Sequence, residues 1–225
     1  MLLFNAGTIT AQTDAPKIWQ ATQVNVHIGF ALPQLYDGVE LLRARDIREG
    51  QQSYFRNSAG QRKYVGEYSS LAGITFGIAF YKPIKRIERL MAGARLLNTQ
   101  TGSEPAEGGY PEGYYFNFLL GGVALKYYPL PNRNFFFNGD VGIASVFTKN
   151  RFVNSAGEQN FLHQFGIGVG FNAGVGYDFA LFKNKQKAIT LNMSYQYMST
   201  RVEVDGVGDD QWRFGSFNLI AAYTF

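Results

Sequence analysis

Residues 161–179 read FLHQFGIGVGFNAGVGYDF, and no other stretch limits so tightly what this chain can become. Phe161, Phe165, Ile167, Val169, Phe171, Val175, Tyr177 and Phe179 fall on alternate positions, interrupted only by His163 and Ala173. Between Gln164 and Asp178 the intervening residues are Gln, Gly, Gly, Gly, Asn, Gly, Gly and Asp. A strict period of two belongs to a β-strand, and this one is long for a soluble protein. The small polar face suits the inside of a narrow barrel, where glycines leave room for other side chains. The bulky face must then look outward, which is tolerable only in lipid. The stretch therefore predicts a strand of a transmembrane β-barrel.

The rest of the chain repeats the pattern. Strands are expected at 22–32, 71–81, 89–97, 113–128, 134–147, 188–199 and 212–225, which with 161–179 makes eight. The first sets Val24, Val26, Ile28, Phe30 and Leu32 against Gln23, Asn25, His27, Gly29 and Ala31, and Pro33 is expected to end it. In the fourth the parity stays open at Gly121-Gly122, where a bulge would shift the register. Connections at 33–67, 98–112, 148–160 and 200–211 read as long polar loops, and those at 82–88, 129–132 and 181–187 as short turns. In 33–67, residues 53–56 and 61–64 flank Asn57-Ser58-Ala59-Gly60, a hairpin tip. Phe152-Val153-Asn154-Ser155-Ala156-Gly157 echoes it, as the same turn used twice. The long connections share one end and the short turns share the other with both termini. This is the polarity of an outer-membrane barrel. Aromatic girdles are expected at the far edge from Tyr114, Tyr115, Phe161, Tyr197 and Trp212. At the near edge they would come from Phe80, Tyr128, Phe135, Phe179, Tyr223 and Phe225.

Composition excludes several alternatives. No run of about 18 apolar residues is present, so a helical span is ruled out. Cysteine is absent, so no disulfide framework or thiolate metal site exists. The net charge of +4 is mild and comes with no RNA-binding sheet motif, so no nucleic-acid partner is expected. A soluble lipocalin-like barrel would put the apolar face inside, and it explains neither the aromatic carboxyl end nor the two kinds of connection.

The closing strand ends on an aromatic, with apolar residues alternating before it: Phe217, Leu219, Tyr223 and Phe225. With the eight-strand pattern, this resembles the small outer-membrane β-barrel superfamily typified by OmpX and the OmpA membrane domain. The resemblance covers about residues 22–225 and implies an all-β antiparallel barrel with a closed lumen. It also implies that those terminal residues are the signal read by the barrel-assembly machinery. The Ala11-Gln12 junction and the Tyr81-Lys82-Pro83 turn resemble barrels of Bacteroidota. Residues 1–11 resemble the end of a secretory signal peptide, with an ordinary tail as the alternative, 12–21 as a periplasmic segment and 22–225 as the barrel.

An eight-stranded barrel is just wide enough for side chains to fill it. The expected lumen network is Asn25, His27, Arg95, Asn138, Asp140, Gln164, Asn172, Asp178, Asn192 and Gln196, joined by Thr75, Thr190 and Asn218, with Arg95 and Asp140 as a buried pair. Lys82, Lys85, Arg86, Arg133, Lys183, Lys185 and Lys187 form a basic rim facing anionic headgroups or a periplasmic partner. His27 and His163 are the only imidazoles. His163 faces outward near the far edge, where it would touch lipopolysaccharide or solvent. A nucleophilic serine would need it within hydrogen-bond reach, and only Ser194 and Ser199 could approach from the neighbouring strand. No catalytic residue, cofactor or metal site is expected, since Asp205, Asp209 and Asp210 lack calcium-loop spacing. The expected function is structural or interactive: envelope integrity, adhesion, or an accessory subunit of an envelope assembly such as the type 9 secretion system. A small-molecule channel of the OmpW type is the alternative, and a lipid A-modifying enzyme a further one. Expected partners are outer-membrane lipid and lipopolysaccharide, the assembly machinery, and a protein at the extracellular loops or the rim.

Overall fold

A computed structural model describes residues 18–35, 54–56, 62–64, 72–103, 113–131, 134–153, 159–181, 187–204 and 208–225. A 3-10 turn, Ile18–Gln20, precedes β1 (Gln23–Leu35). A small hairpin of β2 (Tyr54–Arg56) and β3 (Arg62–Tyr64) follows. Then come β4 (Gly73–Pro83), β5 (Leu90–Ser103), β6 (Gly113–Tyr127) and β7 (Phe135–Val153), and β8 (Gln159–Ala180), β9 (Ala188–Val204) and β10 (Gly208–Thr224) complete the chain. The eight long strands form one closed antiparallel barrel in the order β1-β10-β9-β8-β7-β6-β5-β4. First and last strands close it through an unbroken register from Asn25↔Thr224 to Leu35↔Phe214. No strand edge is left open along that seam, as hydrocarbon requires.

The two faces separate as the alternation demands. Ile143, Val169 and Ile28 are 69%, 67% and 65% exposed, whereas Gln196 and Asn172 are 0% and 1% exposed. Outward Phe, Ile, Val, Leu and Met would be an aggregation surface in water. In a bilayer they are the solvated face. The protein is therefore a transmembrane barrel of the outer-membrane type.

Several expectations are corrected. Pro33 does not end the first strand; it lies within β1 opposite Ser216. The β1–β4 ladder stops at Ala31↔Gly73, so the proline sits on an edge, where strands tolerate it. No bulge occurs at Gly121-Gly122, since the registers of β6 with β5 and β7 run through both glycines unbroken. Residues 98–103, 148–153 and 200–204, read as loop, are strand. Beyond the hydrocarbon the outward positions face water, so the apolar alternation that marks a span disappears while the ladder continues. β7, β8, β9 and β10 have 19, 22, 17 and 17 residues, against about 9–11 needed to span. Tyr128 and Trp212 do not join the girdles; both point inward and are buried. The tips at 57–60 and 154–158 lie outside the described residues, but both sit between paired antiparallel strands.

At the short-turn end, Arg89 adopts φ 67°, a backbone region that side chains rarely occupy. Two hydrogen bonds hold it: Arg89 Nη1 to Pro129 O at 2.7 Å, and Tyr128 N to Arg89 O at 3.0 Å. They tie the β4–β5 turn to the end of β6.

Lumen glycines are spaces filled from across the barrel. A Cβ on Gly176 would collide with the Phe136 ring, and one on Gly170 would come within 2.8 Å of Met198 Cγ. Gly176→Leu should therefore destabilise the barrel by about 1–3 kcal/mol through overpacking. Val169→Leu, on the lipid face, should change stability by less than about 0.5 kcal/mol. Urea unfolding of vesicle-inserted protein measures both.

Candidate functional site: the filled lumen

At the short-turn end the lumen is closed around one buried cation. β6 brings Lys126 inward, β8 brings Asp178, and Tyr128 follows the end of β6. Lys126 Nζ lies 2.8 Å from Asp178 Oδ2 and 3.1 Å from Gln23 Oε1. The Tyr128 hydroxyl donates to the same carboxylate oxygen at 2.6 Å, and Thr190 Oγ1 donates to the other. Three rings surround the ammonium: Phe136 at 4.0 Å, Tyr128 at 5.2 Å and Tyr81 at 5.8 Å from Nζ. Two charges removed from water are tolerated only when paired and fully hydrogen-bonded, and the rings add cation–π attraction. The segment before the barrel completes the closure. Gln23 Nε2 donates to Ile18 O at 3.2 Å and to the Tyr128 hydroxyl at 3.1 Å, and Trp19 packs with Tyr81, Met91 and Phe136.

The middle layer is polar. Arg95 Nη1 is 3.2 Å from Asp140 Oδ1, and Asn172 Nδ2 donates to that oxygen at 3.0 Å. The Asn138 and Asn192 amides meet at 2.6 Å, and Thr99 Oγ1 donates to Gln196 Oε1 at 3.0 Å. Asn25, His27 and Gln164 also face inward and are buried. Asn25 Oδ1, His27 Nε2 and both amide atoms of Gln164 have no protein partner among the described residues. The long-connection half, where Gln164 lies with buried Thr148 and Thr200, is richer in apolar side chains. Phe118 stacks on Phe214 with centroids 3.5 Å apart, and Leu97, Phe116, Leu120, Val146, Met198, Val202 and Trp212 fill the space around them. Between the lower layers remains a cavity of about 30 Å³ beside His27, Arg95 and Asn192. That is room for roughly two water molecules.

The remaining expected residues fall elsewhere. Phe217, Leu219 and Phe225 are exposed on the outer wall, and Tyr223 is half-buried there. Lys82, Lys85, Arg86 and Lys187 are exposed at the short-turn end, while Arg133, Lys183 and Lys185 lie outside the described residues. His163 is exposed on the outer wall and stacks on Phe147 and Phe161, at 5.7 and 6.4 Å. Ser194 is buried on the opposite side of the wall. Ser199 is opposite Val169, six residues from His163 along β8, or about 20 Å. Neither serine can meet that imidazole. Among the described residues no cluster of three or more His, Asp or Glu could hold a metal.

Sequence reasoning missed the inward positions of Lys126, Tyr128 and Trp212, and it put Gln23 on the polar face without counting it in the network. The signal for Lys126 was present: an unbroken alternation from Phe116 through Phe118, Leu120, Gly122 and Ala124 puts it inward. The suspected bulge hid that parity.

No family model and no curated protein sequence matches the chain. Solved structures do. Ail, the attachment invasion locus protein of Yersinia pestis, aligns at 13% identity over 91% of this chain and 99% of its own, with a TM-score of 0.49. The outer membrane protein OprG from Pseudomonas aeruginosa aligns at 14% identity over 92% and 97%, TM-score 0.42. Neisserial surface protein A aligns at 14% identity over 90% and 95%, TM-score 0.40.

Removing one partner of the caged pair leaves a buried charge unpaired. Lys126→Met or Asp178→Leu alone should each cost about 3–5 kcal/mol, and the double variant distinctly less than either. Both tryptophans, Trp19 and Trp212, lie inside the barrel, one at each end, so their fluorescence during urea unfolding reports the loss.

Proposed function

We propose that this protein is a lumen-closed barrel of the bacterial outer membrane that acts through its surfaces and does not transport. The carrying observation is the filled lumen: two buried ion pairs are each neutral within themselves, an aromatic layer caps them, and the cavity between the lower layers holds about 30 Å³. Such packing supports a lumen that hydrated ions and small solutes do not cross. The role is structural or interactive: envelope integrity, adhesion, or an accessory subunit of an envelope assembly such as the type 9 secretion system. The extended walls of β7 to β10 support an extracellular contact surface, and the exposed Lys82, Lys85, Arg86 and Lys187 support a periplasmic one. The role is not catalytic. The outward Phe217, Leu219 and Phe225 on the closing strand support recognition by the barrel-assembly machinery.

In planar bilayers the folded protein should carry no steady current. A stable conductance step would replace this reading with a small-molecule channel. Mild-detergent purification from native membranes, with a tag inserted between residues 104 and 112, should bring down a stoichiometric partner if the protein is an assembly subunit. Recovery of the solitary barrel would leave envelope integrity or adhesion. Deleting Phe225 should slow insertion in cells and raise the protease-sensitive pool, while refolding into detergent stays close to wild type.

A further inference from the structure

On the outer wall, lipid-facing positions along β5, β6 and β7 include Leu96, Val123, Val141 and Ile143. Toward the long-connection end the same faces of these strands turn polar, with Asn98, Gln100, Asn117 and Lys149. Asn98 Nδ2 donates to Asn117 Oδ1 at 2.6 Å, and Asn98 Oδ1 has no protein partner among the described residues. Amides facing hydrocarbon are costly unless their hydrogen bonds are completed. Beside this pair lies a groove of about 530 Å³ lined by Ile74, Gln100, Tyr115, Asn117, Phe147 and Lys149 among others. Lys149 is the only charged side chain among the described residues that line it. Its ammonium sits 4.4 Å from the centre of the Phe161 ring, beside its cross-strand neighbour His163.

A second outer groove, near β8–β10, gives the contrast. It measures about 430 Å³ and includes Ser199, Arg201, Asp209 and Gln211. Arg201 Nε pairs with Asp209 Oδ2 at 2.9 Å, and Gln211 Nε2 donates to Ser199 Oγ at 2.7 Å. That groove meets its own polar demand. The β4–β7 groove has a cation and amides where the outward face of β5 to β7 changes from apolar to polar.

We infer that the β4–β7 groove binds a phosphorylated glycolipid of the surrounding leaflet. Lys149 faces a phosphate. Asn98, Gln100 and Asn117 meet sugar hydroxyls and amide groups, and Ile74, Tyr115 and Phe147 carry the first segment of an acyl chain. Phospholipids with fewer hydroxyl and amide groups would use the lysine but offer less to Asn98 Oδ1 and Gln100. The inference rests on the outer-membrane reading above, and the two can fail separately.

The test uses the full chain in phosphatidylcholine nanodiscs, with bisphosphorylated lipid A or phosphatidylglycerol added and bound lipid counted by native mass spectrometry. Heat-modifiable migration checks that each variant is folded. Wild type should retain lipid A in preference to phosphatidylglycerol. Lys149→Gln, and separately Asn98→Leu with Asn117→Leu, should each weaken lipid A retention about tenfold. Arg201→Gln, in the self-paired groove, should leave it unchanged. Equal lipid A retention by wild type and both groove variants overturns the site. Phosphatidylglycerol held as tightly as lipid A overturns the glycolipid and leaves a generic anionic-headgroup contact. Failure of the wild type to enter any bilayer removes the membrane reading itself, and the groove with it.

Discussion

Closure of β1 on β10 is the constraint on which everything else depends. A strand edge in hydrocarbon leaves backbone groups with no partner, and each costs several kcal/mol. The ladder from Asn25↔Thr224 to Leu35↔Phe214 removes that cost along the seam, and Phe225 N extends it to Val24 O at 2.9 Å. Once the sheet is closed with eight strands, its inside is too narrow for anything except side chains. Lumen packing and lipid-facing surface are therefore two consequences of one closure.

The lumen solves its packing problem in layers with different chemistry. The lower end holds a caged cation, the middle holds amides and an ion pair, and the far half holds stacked aromatics. Among the described residues the buried charges have partners on another strand, as Lys126 does with Asp178 and Arg95 with Asp140. Such pairs are weak sources of net stability, because desolvation offsets much of their attraction. Their geometric demands are strict, however, and each pins two distant strands in one register. The aromatic layer supplies apolar contact where no charge is needed. Together the layers fill the described part of the lumen with side chains.

Outside, the wall departs from a plain apolar band in two ways. Four strands extend well beyond the thickness of a bilayer, and polar side chains sit on the lipid-facing parity of β5 to β7. The first departure carries the wall past the hydrocarbon, and the second puts polar groups on the outward face. Neither involves the lumen.

Local pattern alone determined the barrel. The alternation at 161–179 names both faces, because side-chain direction in a strand depends only on parity, and its reach into β8 differs from the observed strand by a residue or two at each end. It also put Arg95 and Asp140 on the same side of the wall. Strand ends past the membrane were not legible, because residues such as Thr148, Lys149 and Asn150 look like loop once both faces are polar. Nor was the closure around Lys126. Its parity hung on a bulge that the registers on both sides of β6 exclude, and its partners Gln23 and Asp178 are 103 and 52 residues away. Which inward side chains meet depends on the stagger of strands around a closed barrel. That stagger is a property of all eight ladders together, and no single strand encodes it.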